Sequence, residues 1–164
     1  MKLKNLLPIL FVVYSCSQDS SIDRNDLIEK AGAPLLNGLG SHSFTISSKV
    51  EGVQDYFNQG LIMAYAFNHA ESIRSFKAAQ KLDPNCAICF WGEALALGPN
   101  INVTSDGKAI MSPQDRLDAF ERTNKAIALI EFASPKEKDF ILTLKSRYNG
   151  DVNSSRVPLD IAYA

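Results

Sequence analysis

The stretch that decides the fold is Tyr56-Phe-Asn-Gln-Gly60-Leu-Ile-Met-Ala-Tyr-Ala-Phe-Asn-His69-Ala-Glu-Ser72-Ile-Arg-Ser-Phe76-Lys-Ala-Ala79-Gln-Lys-Leu-Asp-Pro84. Just before it the apolar residues take up helical spacing: Val53, Phe57, Gly60, Leu61, Ala64 and Phe67 recur every three or four positions. Asn68 and His69 interrupt. A second periodic run places Ile73, Phe76, Ala79 and Leu82 on one face, and Asp83-Pro84-Asn85 stops it. Proline disfavours the helical conformation in the residue before it, so Pro84 marks the boundary. The pattern predicts two antiparallel helices joined by a tight turn.

The pair recurs. Tyr56 and Phe90 are 34 residues apart, as are Gly60 and Ala94. Small residues at such positions let two helix axes approach, and the neighbouring aromatic fills the space beside them. A period of 34 with this chemistry is the signature of tetratricopeptide repeats. Tyr56, Gly60, Ser72, Phe76, Ala79 and Pro84 match the landmarks of one repeat, and Gln59 departs from the usual leucine. Phe90, Trp91 and Ala94 continue the pattern into the next. The strings Tyr-Ala-Phe-Asn-His69 and Ala94-Leu-Ala-Leu-Gly-Pro-Asn-Ile-Asn102 further resemble a subfamily of secreted bacterial tetratricopeptide-repeat proteins without assigned activity. The resemblance implies an all-α solenoid and a protein or peptide partner held on the stacked helices, with no catalysis.

Working outward, the first helix of the second repeat is predicted from about Ala87 to Leu97, ended by Gly98-Pro99. A loop reaches Met111, and Ser112-Pro113 starts the next helix, serine as N-cap and proline at the first helical position. Phe120 lies 44 residues after Phe76, so about ten residues are inserted here, in a place where repeat proteins often carry binding loops. Ser134-Pro135 opens a further helix to about Tyr148, and a last one begins near Pro158. Phe140, Ile141, Leu144 and Tyr148 are then expected on a bare face. The helical domain is accordingly read as 51–164, an array truncated at its C-terminal end.

Upstream, Lys2 and Lys4 precede the apolar run Leu6 to Tyr14, too short for a bilayer span and suited to a secretory signal. Val13-Tyr14-Ser15-Cys16 resembles a bacterial lipobox, in which the cysteine is lipidated and becomes the mature N-terminus. An ordinary signal with an incidental cysteine is the alternative. The reading assigns 1–15 to a lipoprotein signal peptide and Cys16 to a membrane anchor. With Ser17 rather than aspartate following, it implies an outer-membrane address at the bacterial cell envelope. Residues 16–50 are read as a polar tether to about Asp26, a short helix at most and then loop from Leu27 to Leu39, where Gly32, Pro34 and Gly38 break the pattern, and an irregular, extended lead-in in which Phe44 and Ile46 alternate.

A formal net charge of −1 gives no field to attract nucleic acid. No nucleophile triad, His-Glu-x-x-His helix, phosphate loop or dinucleotide glycine motif occurs. Cys86-Ala-Ile-Cys89 lies about one helical turn apart, close enough for a disulfide. Phe90 stands where c-type haem attachment needs histidine. The plainer reading is two half-buried small residues or a structural disulfide. The sharper one joins His42, His69, Cys86 and Cys89 as ligands for zinc or copper(I) in a metal-binding or redox protein. No other cofactor is implied.

Overall fold

Val53 to Tyr65 form the helix α2, and its termination explains the tight turn that follows. Phe67 takes a left-handed φ of 59°, the conformation glycine usually supplies after a helix. Its N–H donates to the Ala64 carbonyl and that of Asn68 to the Met63 carbonyl at 2.9 Å, which satisfies two otherwise orphaned acceptors. Phe67 therefore leaves the apolar face on which its spacing had placed it and is 52% exposed. Asn68 caps α3 (His69–Leu82), its side chain accepting from the Glu71 N–H.

The computed structural model describes residues 23–100, 104–105 and 108–164, with the backbone alone at 104–105 and 108–109. The described chain is all-helical apart from one antiparallel hairpin of two-residue strands, β1 (Thr104–Ser105) and β2 (Lys108–Ala109), inside the inserted loop. The sequence-derived helices are present as α4 (Ala87–Leu97), α5 (Pro113–Ala128), α6 (Pro135–Leu144, continued by a 3₁₀ turn to Arg147) and α7 (Val157–Tyr163). Ser112 and Ser134 cap α5 and α6 through their hydroxyls, and Pro113 and Pro135 open the first turns.

Helix α4 is the centre. Nine of its eleven residues are buried, Glu93 among them, so it is covered on all sides rather than along one stripe. Both α3 and α5 run antiparallel to it. His69 at the start of α3 meets the Ala96 carbonyl near the end of α4, while Gln80 near the end of α3 donates to the Cys89 carbonyl. Lys125 near the end of α5 lies over the Phe90 ring. Helices α2, α4 and α6 present side chains to a common groove.

The crossing of α2, α3 and α4 is set by Phe76, which is fully buried. A methyl on Gly60 would sit 2.9 Å from its ring and one on Gly92 only 2.3 Å. The ring of Phe76 is thus held between two glycines on different helices, and bare backbone is what admits it. Ser72 completes the contact by donating its hydroxyl to the Gly60 carbonyl at 2.7 Å.

The short helix read after the tether is α1 (Arg24–Ala31), which begins two residues before Asp26, and Leu27, Ala31 and Ala33 are buried. Leu27 and Ala31, one helical turn apart, give this short segment a face to pack. One expectation needs correction. The bare face expected beyond Asp139 is largely covered: Ile141, Leu144 and Tyr148 are buried, and of the four only Phe140, at 39%, is exposed. The Tyr148 hydroxyl donates to the Ala94 carbonyl at 2.7 Å, anchoring the end of α6 on α4.

Candidate functional site

The lead-in, which carries no helical period, is the segment that builds the site. Residues 41–48 run extended across α2 toward the start of α6. Helix side chains, spaced one turn apart on α2, hold its main chain. Asn58 Oδ1 accepts from the Phe44 N–H at 3.1 Å, Gln54 Oε1 accepts from the Ile46 N–H at 3.1 Å, and Gln54 Nε2 donates to the Phe44 carbonyl at 2.9 Å. At the far end Glu137, on the first turn of α6, accepts from the Ser47 N–H at 2.8 Å and from the Ser47 hydroxyl. Glu137 is 1% exposed and has no cationic partner in an ion pair among the described residues. Its charge is met by N–H and O–H donors, the Ser134 N–H of its own capping box included.

The side chains of the segment alternate. Ile46 is buried, Thr45 points out, and Phe44 enters a row of aromatic rings. Ring centroids are 5.9 Å apart for Phe44 and Phe57, 5.6 Å for Phe44 and Phe140, and 5.5 Å for Phe140 and Trp91. All three pairs are tilted or edge-on, the arrangements the ring quadrupoles favour. Lys136 lies 4.3 Å from the centroid of Phe44. Beside this row an apolar cavity of about 550 Å³ remains. Leu39, His42 and Phe44 form one wall and Leu61, Ile62, Tyr65, Trp91 and Phe140 much of the other. The volume lies within the range of ligand-binding clefts.

Further up, Gln59 joins the lead-in to two helices. It is 3% exposed, accepts from the Leu36 N–H at 2.7 Å, and donates to the Pro34 carbonyl at 3.0 Å and the Ser75 hydroxyl at 2.9 Å. The leucine of the repeat pattern could do none of this. Tyr56, fully buried, donates to the Ala33 carbonyl at 2.6 Å.

The residues singled out from the sequence divide clearly. Tyr56, Gly60, Ser72, Phe76, Ala79, Phe90, Trp91 and Ala94 are all buried, with Trp91 at the edge of the groove, while Pro84 is exposed in its turn. Cys86 and Cys89 form a disulfide with Cα atoms 5.3 Å apart, at the start of α4. The four-residue metal set is not assembled. His69 contacts Ala96, seven residues beyond Cys89 on α4, about 10 Å along the helix axis. His42 lies on the wall of the aromatic groove. Sulfurs bonded to each other are, moreover, no longer thiolate ligands. Among the described residues no three His, Cys, Asp or Glu side chains converge as a metal site. Cys16 and the signal segment lie outside the described residues, as do Asn102 and part of the inserted loop. Among the described residues no helix is long and apolar enough to cross a membrane.

Sequence reasoning missed Gln54, Asn58 and Glu137. For Glu137 the signal was present: Ser134-Pro-Lys-Glu137 is a capping-box sequence. For the two amides the signal was their position one turn apart on the first half of α2. No protein-family model, curated protein or solved structure matches the chain.

Proposed function

We propose that this chain is a non-catalytic binding scaffold for an extended peptide or protein segment, built on tetratricopeptide-like helix pairs and anchored at the bacterial cell envelope through a lipid on Cys16. One observation carries the binding reading. Gln54 and Asn58 on α2 and Glu137 on α6 hydrogen-bond the main chain of an extended segment while aromatic rings take its side chain. Main-chain bonds recognise any extended peptide, and the aromatic row adds selectivity for an apolar residue. The landmarks from Tyr56 to Pro84 and the succession of α2 with α3 and α4 with α5 support the repeat reading.

Panning displayed random peptides on the full chain tests the binding reading. Peptides should be enriched whose affinity falls about tenfold or more on Tyr65→Glu and on Phe140→Glu, as for a lost anchor contact. Both side chains line the groove; Tyr65, 74% exposed, can change without touching the core, whereas Phe140, 39% exposed, also packs on Trp91 and Phe44, so its variant is compared only once circular dichroism shows it folded. No enrichment, or binding indifferent to both substitutions, overturns the proposal. The anchor is tested by mass spectrometry of the protein from its native membrane, which should show an acylated N-terminal Cys16. An unmodified or internal Cys16 overturns that part.

A further inference from the structure

From the seating of residues 41–46 we infer that this part of the lead-in is a displaceable occupant of the groove, and that the external partner is an extended, uncharged segment with an aromatic residue followed two positions later by an aliphatic one. The inference rests on the binding reading above and adds the partner's chemistry and its control. The self-segment is a copy of what the groove accepts. Ser41-His-Ser-Phe44-Thr-Ile46 carries no Asp, Glu, Lys or Arg, and Phe44 and Ile46 are the apolar side chains it turns inward, with His42 on the groove wall beside them. The side-chain amides that hold it make three bonds to main-chain N–H and C=O groups, which any extended partner also offers, and a single side-chain contact, from Asn58 Nδ2 to the Ser43 hydroxyl oxygen at 3.2 Å.

Three features make the segment replaceable. No backbone–backbone hydrogen bond is made by residues 33–49 among the described residues, so no ladder or helix must melt to free them. Phe44 is only partly buried, with the open cavity beside it. Upstream, Gly38 and Gly40 adopt φ values of 79° and 87° with no atom near where a side chain would stand, which leaves room for the chain to pivot. Both ends remain tied, by Tyr56 and Gln59 near Ala33 to Leu36 and by Ser47 on Glu137 and Ser48 on Asp83, so the displaced segment stays close and competes at high effective concentration.

The test uses the full chain in detergent and a fluorescent synthetic peptide with the sequence of residues 40–49. By fluorescence anisotropy the Phe44→Ser/Ile46→Ser chain should bind this peptide about tenfold more tightly than the unsubstituted chain does, the factor expected if the native segment occupies its seat about nine-tenths of the time. Equal binding by the two chains overturns the inference. Because the double substitution could loosen the fold, a second measurement uses the unsubstituted chain alone. Saturating peptide should accelerate hydrogen exchange at the Phe44 and Ile46 amides, whose acceptors are Asn58 and Gln54. Unchanged protection at both also overturns it. If peptides enriched by panning bind the two chains alike, the groove still docks peptides and only self-occupation falls. If no peptide binds either chain, the docking reading falls as well.

Discussion

At the scale of single residues, the glycine–phenylalanine–glycine contact governs how closely three helices pack. A Cβ at position 92 would lie 2.3 Å from a Phe76 ring carbon, nearer than any real contact, and the ring is enclosed. Gly92→Ala should therefore destabilise the fold by about 1–3 kcal/mol, and Gly60→Leu by at least as much, because each overpacks a filled site. A melting temperature unchanged by either would show that Phe76 can move aside. Gly60 was legible from its 34-residue spacing to Ala94, and Phe76 from its place among the repeat landmarks; Gly92 fits neither. Gln59 stood out as a departure, but its role was unreadable. Its partners Leu36 and Pro34 sit 23 and 25 residues upstream in a segment with no period. Tyr148 makes a second prediction. Burial pushes its phenol up to about 12, against the opposing pull of Arg147 and Arg156. In the unfolded chain the group titrates near 10. The folded form thus holds its proton more tightly: stability is intact below pH 10 and is lost as pH rises from there toward 12. The full loss is about 3 kcal/mol. Denaturant midpoints between pH 9 and 12 should fall more steeply for the parent than for Tyr148→Phe. Parallel slopes would place the alkaline sensitivity elsewhere.

At the scale of elements, the helices were legible where punctuation was strong. Ser112-Pro113 and Ser134-Pro135 each put an acceptor and a pre-set φ at the first turn, and α5 and α6 begin there. Asp83-Pro84 ends α3 for the complementary reason. What holds the lead-in was not legible, since its backbone is satisfied by Gln54, Asn58, Gln59 and Glu137 rather than by neighbours in sequence. Local propensity carries no trace of such bonds. The cap of α6 can be weighed by Ser134→Ala, which removes the hydroxyl that accepts the Glu137 N–H. A loss of about 1 kcal/mol is expected from urea denaturation. No loss would mean that Glu137, by bonding the Ser134 N–H, already holds the helix start unaided.

At the scale of the whole molecule, the lead-in changes how the helical pairs communicate. In a repeat stack each unit touches only its neighbours, so the ends can unfold separately. Here Ser47 and Glu137 join positions 90 residues apart, and through them the lead-in links α2 to α6 directly. The bond is costly to break, because it would strand a buried carboxylate and part-buried N–H groups without partners. Both ends of the helical domain should therefore open together. Trp91 is the single tryptophan, and it lies against Phe140 of α6, so its fluorescence reads the α4–α6 contact, whereas far-UV circular dichroism reads all helices. In urea the two signals should coincide for the unsubstituted chain. Glu137→Ala removes the clamp together with half of the capping box, and should move the fluorescence transition to lower urea than the circular dichroism transition. The apparent slope of the latter should fall too, since less surface then unfolds in each step. Loss of the cap alone predicts a different result: one coincident transition, shifted by about 1 kcal/mol, with its slope kept. That outcome would show that α6 is held by α4 and α5 through Ile141, Leu144 and Tyr148, and that the strap across the groove adds no coupling between the ends.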